Sequence, residues 1–533
     1  MTQVHERSSQ VTPAPYPGSH QMPRWNVGEL PDAPQFQWNR LWQMLGPGLL
    51  MGGAAIGGGE WLKGPEVSAQ FGGQLLWLAT LSIVGQVLYN IEISRYTLYT
   101  GEPIFTGKFR TLPGPMFWVV LYLALDFGSV FPYLAAAAAT PLATLYLGGV
   151  PQPDKIAWHG TMLKGLSVAI FLLSLLPLIF GGKIYNSLKA VMTFKIVTVM
   201  GFLLVLAVGF SHFSTWIEIF TGFFKFGNVP VGSGGDVDNV FAAWFSGRSV
   251  HINLAMMVSL SALVSISGQG GLSNTPLSNY TRDQGWGMGA HVGAIPSLVG
   301  GHNIQLSHVG TVFLVNGQSL PRWKRWYNHL VRDQLFVWMP ACFFGLALPS
   351  MLSVEFLQRG TELPNKWAAS VMTAKSVGET VSAATTSALG SFCRFMVLFC
   401  GFLVLAPSMA STIDGFVRRW VDVFWTSSKK LHTLDPGKIR HLYFAVLVVY
   451  SAFGLSMLML VPEPTTLINI ATTIYNFALG FSCWHVVAIN LALLPREIRP
   501  NWFVRIGLIL TGLFFWCMAS VAAYKLIEDL KWF

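Results

Sequence analysis

Charge is what this chain has least of. Asp, Glu, Lys and Arg make up 11% of its 533 residues, against roughly 25% in soluble domains. That scarcity excludes a water-soluble globular fold. The five cysteines, Cys342, Cys393, Cys400, Cys483 and Cys517, lie in apolar stretches with no metal-type spacing. They read as packing residues and carry no information about redox compartment. No nucleophile–base pair and no phosphate-cradling loop stands out, so neither an enzyme nor a cofactor is expected. The net charge of +10 would suit nucleic acid, but the basic residues are dispersed through short loops between apolar segments. There they set membrane topology, and the expected partner is the lipid bilayer, not nucleic acid. Residues 1–37 are polar and rich in Pro, Ser and Gln, without the apolar core of a signal peptide. They are expected to form a disordered cytoplasmic tail, leading to a short interfacial helix at Trp38–Trp42.

Apolar residues, by contrast, are abundant at 52%. A hydrocarbon core of about 30 Å needs roughly 20 of them per helix. Eleven segments qualify: about 44–68, 74–99, 115–147, 163–181, 189–211, 252–280, 333–354, 391–417, 440–462, 465–490 and 503–525. Lys and Arg concentrate in alternate loops, notably 322–332, 418–440 and 496–505. This bias predicts the N-terminus inside and the C-terminus outside a plasma or inner membrane. Two long loops remain. The outer one, 212–251, has the aromatic content of a short interfacial helix. The inner one, about 282–332, carries His291, His302 and His308 in a spacing that matches no familiar metal site.

Glycine is clustered where a membrane helix tolerates it least. Segment 1 contains Gly57-Gly58-Gly59 before Glu60, and segment 6 contains Ser267-Gly268-Gln269-Gly270-Gly271. Each interior glycine costs a helix about 1 kcal/mol relative to alanine. Unwound backbone at membrane depth survives only where it is buried in protein or lines a cavity. Small-residue helix packing would space glycines four apart instead of clustering them. Each break opens a block of five segments, 1–5 and 6–10. The expected fold is therefore an all-α membrane protein with eleven transmembrane helices. It forms a LeuT-type 5+5 inverted repeat with broken helices 1 and 6, plus one extra C-terminal helix. The first repeat covers 38–211, the outer loop 212–251, the second repeat 252–490, and helix 11 with the C-terminus 491–533.

Several of these residues resemble one family. Leu45-Gly46-Pro47-Gly48-Leu49-Leu50-Met51 before the first break is similar to the opening helix of Nramp-type divalent-metal transporters. Tyr99-Thr100-Gly101, Thr281-Arg282 and Ser411-Thr412-Ile413-Asp414-Gly415 with Phe424 resemble further motifs of that family in the same order. The resemblance implies a LeuT-type fold and alternating access. It also exposes departures. The family's metal-holding Asp-Pro-Gly-Asn slots carry Gly57, Gly58, Gly59 and Glu60 here, and its Met-Pro-His slots carry Gly268, Gln269 and Gly270. The family's acidic pair of helix 3 corresponds to Tyr133 and Ala136, while Asp126 matches an earlier acidic position.

Neither break supplies the imidazole or sulfur that first-row transition metals prefer. Glu60 is the one carboxylate there, and a charge in mid-membrane is a functional candidate by default; pairing with Lys63, three residues on, is the structural alternative. Exposed carbonyls, Glu60 and Gln269 would suit a hard, partly hydrated ion such as Mg²⁺ over Mn²⁺ or Fe²⁺. The expected substrate site comprises Gly57, Gly58, Gly59, Glu60, Ser267, Gly268, Gln269, Gly270, Asn469 and Thr473, with Glu60 and Gln269 as metal ligands. Asp126 is the coupling candidate, with proton coupling itself in doubt because the helix 3 pair is absent. The polar stripe of Asn469, Thr472, Thr473 and Asn476 could equally serve interhelical hydrogen bonding. Lys195, Arg394 and Asp414 are expected near segment ends, where they snorkel or pair. Two other functions stay open: transport of a small organic solute such as a zwitterion, held at half-helix N-termini, and a transport-inactive sensor on the same fold.

Overall fold

The computed structural model describes residues 14–35, 37, 45–180, 183–231, 235–295, 306–360, 368–431, 438–460 and 464–529. Among them, nine helices are long and apolar enough to cross a membrane. Strand is confined to two two-stranded pairs, a parallel one of β1 (Asn26–Val27) with β4 (Thr311–Val312) and an antiparallel one of β2 (Asn228–Pro230) with β3 (Val237–Asn239). The expected interfacial helix at 38–42 and His302 lie outside the described residues.

The first apolar segment begins with α1 (Pro47–Ala55). Proline suits its first turn because that N–H has no intrahelical partner. The other orphan donors are capped from a distance: Asp333 accepts from Gly46 N at 3.3 Å and Gly48 N at 2.7 Å. The helix then stops, and a π-turn (Gly59–Lys63) and α2 (Gly64–Phe71) resume it. The second segment is one continuous helix, α3 (Trp77–Thr100), closed by Gly101 at φ +67°. After the short α4 (Ile104–Arg110), the third segment departs from expectation. It is divided into α5 (Pro115–Leu125) and α6 (Tyr133–Leu147) around a 3₁₀ turn at Phe127–Val130. Pro132, which has no N–H to continue the ladder, sits at the junction. Next come α7 (Ala157–Leu173) and α8 (Ile184–Phe210). The outer loop folds into α9 (Phe213–Gly222), the β2–β3 hairpin and α10 (Val240–Phe245).

The sixth segment repeats the interruption. α11 (Leu254–Ile266) ends at Ser267, and α12 (Pro276–Asp283) follows a 3₁₀ turn at Gly271–Asn274. The loop expected on the inner side is not plain coil. It holds β4 and the amphipathic α13 (Ser319–Asp333), which runs through a π-turn into α14 (Met339–Phe356). An unforeseen helix, α15 (Ala368–Ala384), packs on α16 (Ser387–Ser427) through facing glycines; a Cβ on Gly390 would lie 2.4 Å from Gly378 O. α16 is 41 residues long, far beyond the expected 391–417. Its extra turns carry Arg418, Arg419 and Asp422, which are buried in ion pairs and so do not end the helix. α17 (Ile439–Leu460), α18 (Pro464–Leu493) and α19 (Trp502–Asp529) complete the chain.

The N-terminal segment corrects the expectation of a disordered tail. Residues 14–35 lie against the inner loop and α4. Trp25 is buried, Arg110 donates to Pro23 O at 2.7 Å, and Trp326 Nε1 donates to Pro31 O at 2.8 Å. Glu29 and Asp32 pair with Arg322 and Arg325 of α13. Low hydropathy read as disorder because the partners that order this strap, Arg110 and the residues of α13, are distant in sequence.

Candidate functional site

Both glycine clusters are true breaks, and they meet. Unwinding leaves backbone N–H and C=O groups that must find other partners inside a bilayer. Two side chains supply them. Glu60 accepts from Gly57 N at 2.9 Å through one carboxylate oxygen and from Gly268 N at 3.0 Å through the other. One fully buried carboxylate thus staples the first break to the second. Gln86 of α3 does the same for the second break. Its amide nitrogen donates to Ser267 O at 2.8 Å, and its oxygen accepts from Gln269 N at 3.0 Å, Gly270 N at 3.3 Å and Asn274 Nδ2 at 2.8 Å.

The glycines have separate reasons. A Cβ on Gly59 would stand 2.1 Å from Ile266 O, so the two breaks touch there only because that position has no side chain. Gly268, Gly270 and Gly271 take φ of +103°, +69° and +56°, conformations that other residues rarely adopt. Gly57 and Gly58 line a narrow cavity of about 20 Å³, room for one water-sized species. Its walls also include Gln269, Ser273, Ser408, Thr412, Tyr133 and Tyr475. These present neutral oxygens and one amide, without sulfur or imidazole.

The predicted residues divide accordingly. Gly57, Gly58, Gly268 and Gln269 are in the wall, and Gln269 Nε2 also donates to Met51 O at 3.0 Å. Glu60 is set behind Gly57 and Gly268. The alternative pairing of Glu60 with Lys63 does not occur: Lys63 pairs with Glu66 at 2.9 Å, and Ser259 completes that group. Gly59 and Gly270 serve close packing, and Ser267 turns its hydroxyl to Leu263 O at 2.6 Å. Asn469 and Thr473 are outside the cavity wall; Thr473 Oγ1 bonds Asn469 O of its own helix at 2.9 Å. Of the same stripe, Asn476 and Thr472 bond across to another helix, Asn476 Nδ2 to Ser261 and Thr472 O to Ser265. Asp126 is held by Arg419 at 2.5 and 2.7 Å and by Trp420 Nε1 at 2.8 Å.

Sequence reading missed Gln86, Ser408 and Tyr475. The available signal was a polar atom inside an apolar segment, most visible for Gln86 and for Ser408 after Pro407. Lys195 is also corrected. It lies in mid-α8, fully buried, with Nζ 2.6 Å from Ser408 Oγ, not snorkelling at a helix end. Asp414 is likewise buried, held by Arg418, Tyr280 and Tyr443. Among the described residues, no group of three or more His, Cys, Asp or Glu is placed to hold a metal ion. His291 instead bonds Glu29 O at 2.7 Å.

No family model matches the chain. Metal transporter Nramp3 of Arabidopsis thaliana is 27% identical over 143 residues, which is 26% of this chain and 27% of that protein. Metal transporter Nramp2 of Oryza sativa subsp. japonica is 28% identical over 142 residues, 26% of each chain. The matched region thus spans about a quarter of those relatives' length. Crystal structures of mutants of the Eremococcus coleocola manganese transporter superpose with a TM-score of 0.61 at 12% identity, covering 95% of this chain and 91% of that one. At that identity the likeness is one of fold. Over that quarter of its sequence the chain is similar to Nramp metal transporters, and over nearly its whole length it shares the LeuT-type fold of the manganese transporter, as a multi-pass membrane protein.

Proposed function

We propose that this protein is a secondary transporter that moves a divalent cation across the membrane by alternating access. The observation that carries the reading is Glu60, whose carboxylate bridges both helix breaks beside the cavity. Each of its oxygens accepts one hydrogen bond there and keeps a second lone-pair direction for a cation. Separation of the breaks during rocking of helices 1 and 6 would release those oxygens. The names of the relatives support a metal cargo. The wall favours a hard ion such as Mg²⁺ over Mn²⁺ or Fe²⁺, because the donor atoms of Ser408, Thr412, Ser273 and Gln269 able to bind a cation are oxygens, without sulfur or imidazole. A volume of about 20 Å³ suits one ion or one water, so the described conformation is a narrowed state, and hydrated cargo enters only when it opens.

In this reading the chain crosses the membrane eleven times. The nine long apolar helices are joined by the interrupted α1–α2 unit and by α3, with the N-terminus inside and the C-terminus outside. Two inverted five-helix repeats follow from the matching breaks. Coupling to protons through Asp126 is not favoured, since Arg419 holds both its oxygens.

Uptake into proteoliposomes tests the proposal. Mg²⁺ flux should exceed Mn²⁺ flux, and Glu60→Gln should lower it at least tenfold; unchanged flux would remove Glu60 from the site. Flux of an amino acid in place of any cation would favour the organic-solute reading. Binding without flux would favour a sensor.

A further inference from the structure

A second charge sits at the first break. Lys195 projects from the middle of α8 and is fully buried. α8 is held hard against α1 at this level, since a Cβ on Gly53 would come within 2.7 Å of Met192 Cβ. The Lys195 ammonium has one close partner, Ser408 Oγ at 2.6 Å, and it forms no ion pair among the described residues. Ser408 Oγ in turn lies 3.2 Å from Ala54 O and 3.4 Å from Ile56 O. The carbonyl of Ile56 and the N–H of Gly57 belong to one peptide group. Its oxygen faces Ser408 and, beyond it, Lys195, while its N–H donates to Glu60 at 2.9 Å. A single peptide unit of the unwound backbone therefore lies between an ammonium and a carboxylate. Its negative end is on the Ser408 side and its positive end on the Glu60 side.

The other neighbours of Lys195 bring little charge. α1 has no ionisable side chain, α14 offers the buried Cys342, and the nearest acid on α16, Asp414, is committed to Arg418, Tyr280 and Tyr443. Glu60 is the carboxylate on the other side of the Ile56–Gly57 peptide.

We propose that Lys195 is a tethered cation that neutralises Glu60 across the Ile56–Gly57 peptide and thereby sets how strongly the site binds cargo. This rests on the reading of the protein as a cation transporter. With Lys195 in place the empty site carries no net charge, and an arriving divalent ion meets a like charge on the far side of Ser408. That keeps binding weak enough for release. Removing the ammonium leaves one uncompensated negative charge in a medium where such interactions are strong.

Two measurements on purified full-length protein test the inference. Calorimetric titration with MgCl₂ and MnCl₂ should show Lys195→Met binding at least tenfold tighter than wild type. Equal or weaker binding by folded Lys195→Met overturns the proposal. A thermal-unfolding cycle of Glu60→Gln, Lys195→Met and the double variant needs no cargo. The double variant should be more stable than the sum of the single losses allows. Additive losses overturn the charge pairing. If wild type binds no divalent ion, the transport reading falls, and the cycle still decides whether the two charges are coupled.

Discussion

At the scale of single residues, the site depends on atoms that are missing as much as on those present. Gly59 is needed because the carbonyl of Ile266 occupies the place of its side chain. Gly59→Ala should force the two breaks apart and abolish uptake in liposomes, with protein still recovered by size-exclusion chromatography. Gln86 substitutes for the backbone partners that an unbroken helix would have provided. Gln86→Leu strands three N–H donors, of Gln269, Gly270 and Asn274, each worth about 1–3 kcal/mol. Thermal unfolding in detergent should show a loss of several degrees. The glycine clusters, Glu60 and Gln269 were readable in the sequence because such residues are costly at membrane depth. Gln86 and Ser408 were not, since a lone polar residue in an apolar segment does not say which distant backbone group it satisfies.

At the scale of elements, hydropathy located most of the long helices but missed α15 and misjudged where charge or proline sits within others. The long α16 is the instructive case. Arg418 and Arg419 read as the inner boundary of a span, yet both are buried. Arg418 pairs with Asp283 and, at 3.0 Å, with Asp414, while Arg282 joins Asp422 at 2.7 Å. This group ties α12, the inner half of the sixth segment, to α16 and, through Tyr443, to α17. Removing one member of a buried pair typically costs about 3–5 kcal/mol, because the partner charge is left uncompensated. Arg418→Met should therefore free α12. The expected result is faster labelling of a cysteine introduced at Ser273 by a membrane-impermeant thiol reagent applied from the inner side. The interruption of the third segment had a visible signal in Gly128 and Pro132, but the Asp126–Arg419 pair that stabilises the bend joins residues 293 positions apart.

At the scale of the whole molecule, the N-terminal strap packs a polar segment against the 282–332 loop and α4. Its anchor is Glu102, in the turn after α3. Glu102 accepts from Arg110 at 2.5 and 2.7 Å, from Tyr96 OH at 2.8 Å and from Gly310 N at 3.0 Å. Burial pushes its carboxyl up, but the Arg110 guanidinium and these hydrogen bonds outweigh burial and hold it below the usual carboxylate range. A depressed native value means the stabilisation is complete above the ordinary value of about 4.3 and is lost as pH falls through the lower native one. The melting temperature should hold between pH 7 and 5 and fall below about pH 4. Glu102→Gln should start lower at pH 7 and lack that part of the acid loss. Trypsin should also cleave after Arg24 in Glu102→Gln at neutral pH and spare wild type.

The sequence by itself determined that the chain lives in a bilayer, roughly where its helices run, and that two of them unwind. Those properties follow from local costs: charge in hydrocarbon, and glycine in a helix. Tertiary structure alone decided that Glu60 joins the two breaks instead of pairing with Lys63, and that Lys195 faces Ser408. It also decided that the polar stripe of α18 turns away from the cavity and that the strap is ordered. Each of these depends on which unsatisfied group meets which partner across the fold, and local energetics does not encode that choice.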